Sequence, residues 1–325
     1  MKIFLTLDYE LFLGSNTGSV EKCLIEPMAK LCSVADKYGV KFTLFVDATY
    51  MLALKNHLNH PSLQVDYRQI KEHLLYLKSS GHSLQLHVHP HWLYAHYNGN
   101  LWVNAPNCYR LSQLPEEEAT RIIIQSKRLL EEIIQQDVHA FRAGGFSIQP
   151  FEPYGKLFKD SGLNIDSSVL HGCYYNSNNQ QYDYRNSPEK DKYRFSQDVC
   201  KEDIQGAFIE YPIATHPISF LFWWKLSFIK LLKSKKHIKM GDGTSVETTT
   251  QSIFTRLTKS QAGFACMDGY KSSLLHAMKK QQEKKFGSTA NFVILGHPKL
   301  TTTYSVEVLD AFINTCMNKD IFDVL

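Results

Sequence analysis

The chain has 325 residues, with 36 Lys and Arg against 32 Asp and Glu, a formal net charge of +4, 43% hydrophobic and 21% charged side chains. That length carries one large or two ordinary domains with a real core, and a charge excess of four is too small to imply nucleic-acid binding by itself. Nothing in the composition is collagen-like, low-complexity or charge-rich enough for disorder, so attention falls on the 14 His and 17 Tyr, His being the commonest metal ligand and the proton shuttle near neutral pH.

In chain order, Ile3–Thr6 reads as a buried strand running into Asp8 and Glu10. The start MKIFLTLDYE lacks the long apolar stretch and small-residue cleavage site of a secretory signal, which predicts a cytoplasmic protein or a mature form already trimmed. A helical pattern containing Pro27 ends at Gly39 as a C-cap, and Phe42–Val46 is a second strand. A helix over Tyr67–Ser79 precedes the strand-like SLQLHVH, a charged helix over Glu116–Gln135 precedes VHAFRAGG, and a helix over Pro153–Ser161 precedes a strand in Leu163–Val169. Phe208–Pro212 and Asn291–Leu295 are later strands. Short apolar runs alternating with amphipathic helices predict a parallel α/β protein.

Two stretches read as insertions in a single domain spanning 1–325: one over 174–197, dense in Asn, Tyr and charge and predicted as a surface loop, and one over about 216–270. The second holds HPISFLFWWKLSFIKLLKSKKHIK, where Lys225 and Lys230 interrupt the apolar run before it is long enough to span a bilayer. On a helix Phe220, Trp224, Phe228 and Leu231 share one stripe; the preferred reading is a core-facing helix with a solvated basic end. The other is a membrane-surface or lipid-linked-substrate contact through 218–239, which would make the protein peripheral to the inner face of the membrane. The seven scattered cysteines include no CxxC pair and read as reduced thiols.

Ionisable residues end several strands: Asp8, His87, Arg142, Asp166 and His297. In a barrel such positions converge on one rim, where barrel enzymes place their sites. No Gly-rich phosphate loop follows the first strand. Five of the 14 histidines fall between His82 and His96, a clustering that core packing explains poorly, because each buried imidazole needs its own partner. His87 and His89 share a face if the strand continues; His87 and His91 share one if the chain turns helical. Pro90 favours ending the strand, which tips the metal-gripping pair towards His87 and His91. Asp8 and Glu10, two apart on an extended segment, point the same way while Tyr9 points away, and can supply a third ligand and a proton acceptor.

Asp8-Tyr9-Glu10, GHSLQLHVHPH, FRAGGF, LNIDSS and the late LGHP together resemble the five ordered motifs of the polysaccharide deacetylases, carbohydrate esterase family 4. The resemblance spans Leu5–His297 and implies a distorted (β/α) barrel that removes acetyl groups from N-acetylated sugars with a divalent metal, Zn2+ first, Co2+ or Ni2+ next. It implies His87 and His91 as metal ligands, Asp8 as base, Arg142 as its holder and His297 as the acid that protonates the leaving amine. Where the family commonly has two adjacent aspartates this chain has Asp8-Tyr9, so the third ligand is assigned to Glu10, with Asp8 serving both roles as the competing option. Asp166 is expected to orient His297, and His89, Trp92, Gly144, Gly145 and Phe146 to line the substrate site. Two other classes stay open: another amide or cyclic-amide hydrolase, with His87-Val88-His89 as the H-x-H of an amidohydrolase barrel, and a metal-free carbohydrate-binding relative.

Overall fold

The computed structural model describes residues 1–105, 107–232, 234–245 and 250–325, with the backbone alone for 250–253. Strands β1 (Lys2–Tyr9), β2 (Thr43–Asp47), β3 (Ser83–Val88), β4 (Ala140–Ala143), β5 (Ile165–Asp166), β6 (Tyr193–Phe195), β7 (Phe208–Glu210), β8 (Asn291–Gly296) and β9 (Ile321–Asp323) form one nine-stranded sheet. Its order is β6-β7-β5-β4-β3-β2-β1-β8, with β9 against the start of β1, and every pairing is parallel except β6 with β7. The strands are nearly continuous apolar runs because helices cover one face and the barrel interior the other.

The helices are α1 (Glu26–Lys37), α2 (Ala48–Asn56), α3 (Pro61–Ser79), α4 (Glu116–Ile134), α5 (Gly155–Asp160), α6 (Phe220–Leu232), α7 (Thr250–Thr258), α8 (Leu275–Phe286) and α9 (Thr303–Cys316). A π-helical turn over Glu21–Ile25 runs straight into α1, and Pro27, which has no N–H to give the preceding turn, sits at that junction; Gly39 takes the positive φ of 66° that ends the segment. In α4 the buried Ala119, Ile122, Ile123, Ser126, Leu129, Leu130 and Ile133 recur at helical spacing and turn one stripe inward.

The sheet curls until its ends meet. Beyond β7, the Ile213 N–H donates to the Val169 carbonyl (3.0 Å) and the Ala214 N–H to that of Val293 in β8 (3.0 Å), while Cys266 bridges Leu295. Single-residue bridges in place of a full strand make the result a distorted (β/α) barrel, as expected, and the strand ends gather on one rim.

Both expected insertions fold differently from their sequence reading. Residues 174–197 are not a loop lying on the surface: Tyr174–Asn176 and Gln181–Asp183 pair as a hairpin, β6 joins the main sheet, and Tyr182, Tyr184, Tyr193 and Phe195 are buried. Aromatic rings outweigh the polar composition here, because Phe151 and Phe208 pack against Phe195, with Phe158 against both of them. Within 216–270, residues 233 and 246–249 lie outside the described residues; around them Thr215–Ile218 pairs with Gln261–Phe264, and α6 packs on α7. The stripe of α6 predicted to face the core faces outward: Trp224 is 56%, Phe228 61% and Leu231 78% exposed. Phe222 is the residue that α6 buries. No helix among the described residues is long and apolar enough to cross a membrane.

Candidate active site

Alternation along β1 turns Asp8 and Glu10 to the rim, while Tyr9 points back and bonds His73 Nδ1 at 2.9 Å. After β3 the chain stays extended through His89 (φ −118°, ψ 91°) and turns at Pro90, which opens the short 3-10 helix Pro90–Leu93. His87 and His89 therefore share a face, their Nε2 atoms 3.1 Å apart. Glu10 Oε2 lies 2.5 Å from His89 Nε2 and 3.4 Å from His87 Nε2. One ligand atom from each of Glu10, His87 and His89 falls within 4.8 Å of the others, all three residues buried.

This corrects the expected ligand pair of His87 and His91. The helical turn starts one residue too late to bring His91 round; its ring is buried, stacked on Tyr109 at 4.7 Å and tilted against Trp92 at 4.7 Å. Neither of its ring nitrogens has a hydrogen-bond partner among the described residues, and burial holds its pKa well below the ordinary value, so it packs as a neutral ring. Trp92, expected in the substrate site, is likewise core. Its Nε1 donates to Asp47 Oδ2 (2.7 Å), and Asp47 also accepts from Thr49, whose Oγ1 takes the His89 N–H (2.8 Å). Trp92 thus braces the loop that carries His89.

The donor set suits a divalent cation. His87 Nδ1 bonds the Arg142 carbonyl at 2.7 Å, which fixes its proton there and leaves Nε2 with a lone pair turned to Glu10 and His89. Glu10 Oε2 is buried with no hydrogen-bond donor among the described residues. Burial opposes charging of His87, yet Asp8, Glu10 and Asp47 together outweigh it and raise its pKa, so the pocket attracts positive charge. One cation is already built in: the Lys299 ammonium bonds Glu10 Oε1 (2.8 Å) and the Leu11 carbonyl (2.6 Å). Against the cost of its own burial, Glu10 is held well below the usual carboxylate range by Lys299 and His89.

Asp8 lies beside this trio. Arg142 is wholly buried and every one of its nitrogens is committed: Nη1 to Asp8 Oδ1 (2.7 Å), Nε to the Ser167 carbonyl (2.7 Å), and Nη2 to Thr6 Oγ1 (3.0 Å) and Ser167 Oγ (2.9 Å). The guanidinium also stacks on Phe45. Asp8 Oδ2 remains available, 3.7 Å from His297 Nε2.

The carboxylate that orients His297 is Asp268, not Asp166. Asp268 accepts the His297 backbone N–H on Oδ1 and bonds Nδ1 through Oδ2, both at 2.7 Å. Burial opposes the imidazolium, but Asp268 outweighs it and raises the His297 pKa. Asp166 instead accepts from Ser168 Oγ (2.8 Å) and lies against the carboxyl of Glu210, outside the cavity that Asp8, Glu10 and His297 line. Burial raises both carboxyls, and the charge of Asp166 pushes Glu210 further, well above its ordinary value. A group whose folded pKa is raised contributes stability below its unfolded value, near 4.3, and loses it as pH rises through the folded value. Glu210→Gln should therefore stabilise the fold at pH 8 by about 1 kcal/mol and flatten the fall in melting temperature from pH 5 to 8.

A cavity of about 240 Å³ opens over these groups, lined by Asp8, Glu10, His87, His89 and His297, with Tyr109, Gly144, Gly145 and Phe146 on one side. His89, Gly144, Gly145 and Phe146, all expected to line a substrate site, line this cavity, with His89 among the donor trio and not on the substrate wall. At Gly144 a Cβ would come 2.5 Å from the Val88 carbonyl and 2.7 Å from His89 Nδ1, so only glycine lets this turn approach β3. The hairpin at 174–183 adds Tyr175, Asn179 and Gln180, and Gln180 Nε2 donates to the Gly145 carbonyl (3.0 Å). Lys299, Asp268 and Asp47 escaped sequence reasoning; the PKL that follows His297 was the one local signal for Lys299.

No protein-family model and no curated protein matches the chain. Solved structures similar to it include a protein assigned to the polysaccharide deacetylases from Mycobacterium smegmatis, 14% identical over 98% of this chain and 85% of that one, TM-score 0.47. A PuuE allantoinase is 10% identical over 99% and 87%, TM-score 0.48. A CE4 family pseudoenzyme from Bacillus anthracis is 10% identical over 99% and 63%, TM-score 0.40.

Proposed function

We propose that the chain is a metal-dependent hydrolase that removes an N-acetyl group from an amino sugar of a polysaccharide, glycan or lipid-linked saccharide. The observation that carries this reading is the meeting of the Glu10, His87 and His89 donor set with an arginine-held carboxylate and a carboxylate-held imidazole in one cavity. Glu10, His87 and His89 would hold the ion, their two imidazoles and carboxylate suiting Zn2+, with Co2+ or Ni2+ as substitutes. When bound, such an ion polarises the acetamide carbonyl and makes hydroxide available near neutral pH.

The chain's own groups then divide the proton work. Arg142 holds Asp8 in place through Oδ1 and leaves Oδ2 to take the proton of the attacking water. His297, charged with the help of Asp268, gives its Nε2 proton to the nitrogen as the C–N bond breaks, releasing acetate and the free amine. Gly144, Gly145 and Phe146 form the wall against which the acetyl group seats. Because His297 must be protonated, activity should fall as pH rises through its raised pKa. Asp268→Asn should move that alkaline limb to lower pH and cut kcat by about a hundredfold, read from kcat against pH.

Acetate release from N-acetylated chito-oligosaccharides, with metal analysis of the same sample, tests the proposal. One ion per chain with acetate release is expected; a folded, metal-free and inactive protein would sink it and leave a carbohydrate-binding role. The convergence of His87 with His89 favours one second reading, an amidohydrolase-type H-x-H site, although here the motif ends the third strand of the barrel. Turnover of allantoin or a hydantoin without acetate release would establish that reading. We place the protein in a reducing compartment, on the cytoplasmic side. All seven cysteines are unpaired, and burial pushes the Cys23 thiol up to about 11 and Cys173 to about 11.

A further inference from the structure

We infer that the outward face of α6 is a docking surface for an anionic lipid bilayer. Phe220, Trp224, Phe228 and Leu231 recur at spacings of four, four and three, so they form one stripe, and Leu221 and Leu232 widen it. All six are exposed, Leu221 to 58% and Leu232 to 62%, and Phe254 of α7 and Ile238 beyond α6 add to the patch at 69% and 61%. Scattered exposed apolar residues need no explanation; a contiguous set on one short helix pair does.

The charge around the patch selects the partner. Between His216 and Lys239 the chain carries six lysines and no Asp or Glu, and the stretch from Thr250 to Lys259 adds Arg256 and Lys259, again without an acid. Lys236 is paired with Glu307. Lys225, Lys230 and Lys235 have no carboxylate within ion-pair distance among the described residues, and all three are exposed. An apolar face with the unneutralised Lys225 at its edge, Lys230 on the same helix and Lys235 just beyond it matches the hydrocarbon boundary and the negative head groups of an anionic leaflet, whereas a second copy of the same face would bring lysines against lysines.

The position of the face relative to the catalytic cavity gives the docking a use. Trp223 of α6 and Arg256 of α7 turn inward, cation over ring at 5.2 Å, and line a cavity of about 610 Å³ together with Tyr174, Tyr175, Phe264 and Lys271. Tyr175 belongs to the walls of both this cavity and the catalytic one, and Phe264 touches Phe146 across them. A saccharide held at a bilayer would enter between α6, α7 and the hairpin, its anionic attachment met by Arg256 and Lys271. That use rests on the deacetylase reading; the binding to lipid does not.

Flotation of the full chain with vesicles tests the surface. Wild-type protein should float with equimolar phosphatidylcholine and phosphatidylglycerol, and partition about tenfold less onto phosphatidylcholine alone or in 1 M salt, where the Debye length shrinks to about 3 Å. Leu221→Ser with Phe228→Ser and Leu231→Ser, and separately Lys225→Gln with Lys230→Gln and Lys235→Gln, should each lower partitioning about tenfold or more while leaving the melting temperature and acetate release from a soluble oligosaccharide unchanged. If the serine variant fails to fold, the glutamine variant and the salt dependence decide. Wild-type protein that stays with the aqueous phase, floats equally with both vesicles, or forms a dimer that the serine variant dissolves would overturn the inference. Flotation without acetate release would overturn only the deacetylase reading, and acetate release without flotation only the docking surface.

Discussion

His89→Phe should abolish stoichiometric metal binding, and His91→Phe should leave it intact. His89 contributes an Nε2 atom that lies 2.5 Å from Glu10 Oε2 and 3.1 Å from His87 Nε2, so a phenyl ring there removes one of three donors and leaves Glu10 and His87 facing a hydrocarbon. Loss of one ligand from a three-donor site costs at least a hundredfold in affinity, because even substitutions behind the ligands cost 10- to 100-fold by the usual range of about those figures. His91 makes no hydrogen bond from either ring nitrogen among the described residues and packs between Tyr109 and Trp92 as an aromatic ring, a role that phenylalanine fills with little change in volume. Titration of both variants with Zn2+ by calorimetry checks the pair of outcomes. Metal loss in His91→Phe with retention in His89→Phe would restore the ligand pair expected from the sequence spacing.

Asp8→Asn should lower kcat by about a thousandfold and leave metal affinity within a few fold of wild type. The carboxylate stands outside the donor trio, its Oδ1 held by Arg142 and its Oδ2 turned to His297. An asparagine in the same place keeps the volume and can still accept from Arg142, but it cannot take a proton. Glu10→Gln is the matching control: it should lose metal, and it also leaves the Lys299 ammonium buried without its countercharge, a loss that destabilises the fold by about 3 kcal/mol. Metal titration and single-turnover acetate release on the two variants separate ligand from base. Loss of metal in Asp8→Asn would instead assign coordination to Asp8.

The strand ends were legible because each lies next to its own apolar run. KIFLTL announces β1 and places Asp8 at its end, and NFVILG does the same for His297. Alternation along a strand also predicted that Asp8 and Glu10 point together. The error at His91 arose from one residue's conformation. Pro90 marked a turn correctly, but whether His89 before it is extended or already turned is a choice between two allowed backbone regions, and proline biases its predecessor toward the extended one.

Asp268 and Lys299 escaped for a different reason. Asp268 lies 29 positions before His297, inside the stretch that reads as an insertion, and Lys299 meets Glu10 across 289 positions. Contacts of that kind follow from which strands become neighbours when the barrel closes, and β1 pairs with β8 from the opposite end of the chain. The stripe on α6 was also visible as periodicity, yet periodicity says that residues share a face and not whether that face meets the core or solvent; burial of Phe222 turned the others outward.

The sequence by itself determined the α/β alternation and the strand ends at or beside which Asp8, His87, Arg142 and His297 stand, because short-range periodicity and strand-end position are local properties. Tertiary structure decided the partners: His89 over His91 beside Glu10, Asp268 over Asp166 behind His297, and Lys299 against Glu10. The physical reason is that a buried charge is tolerated only where another element brings its counterpart within hydrogen-bond reach, and the strand order of the closed barrel, not the spacing along the chain, sets which element that is.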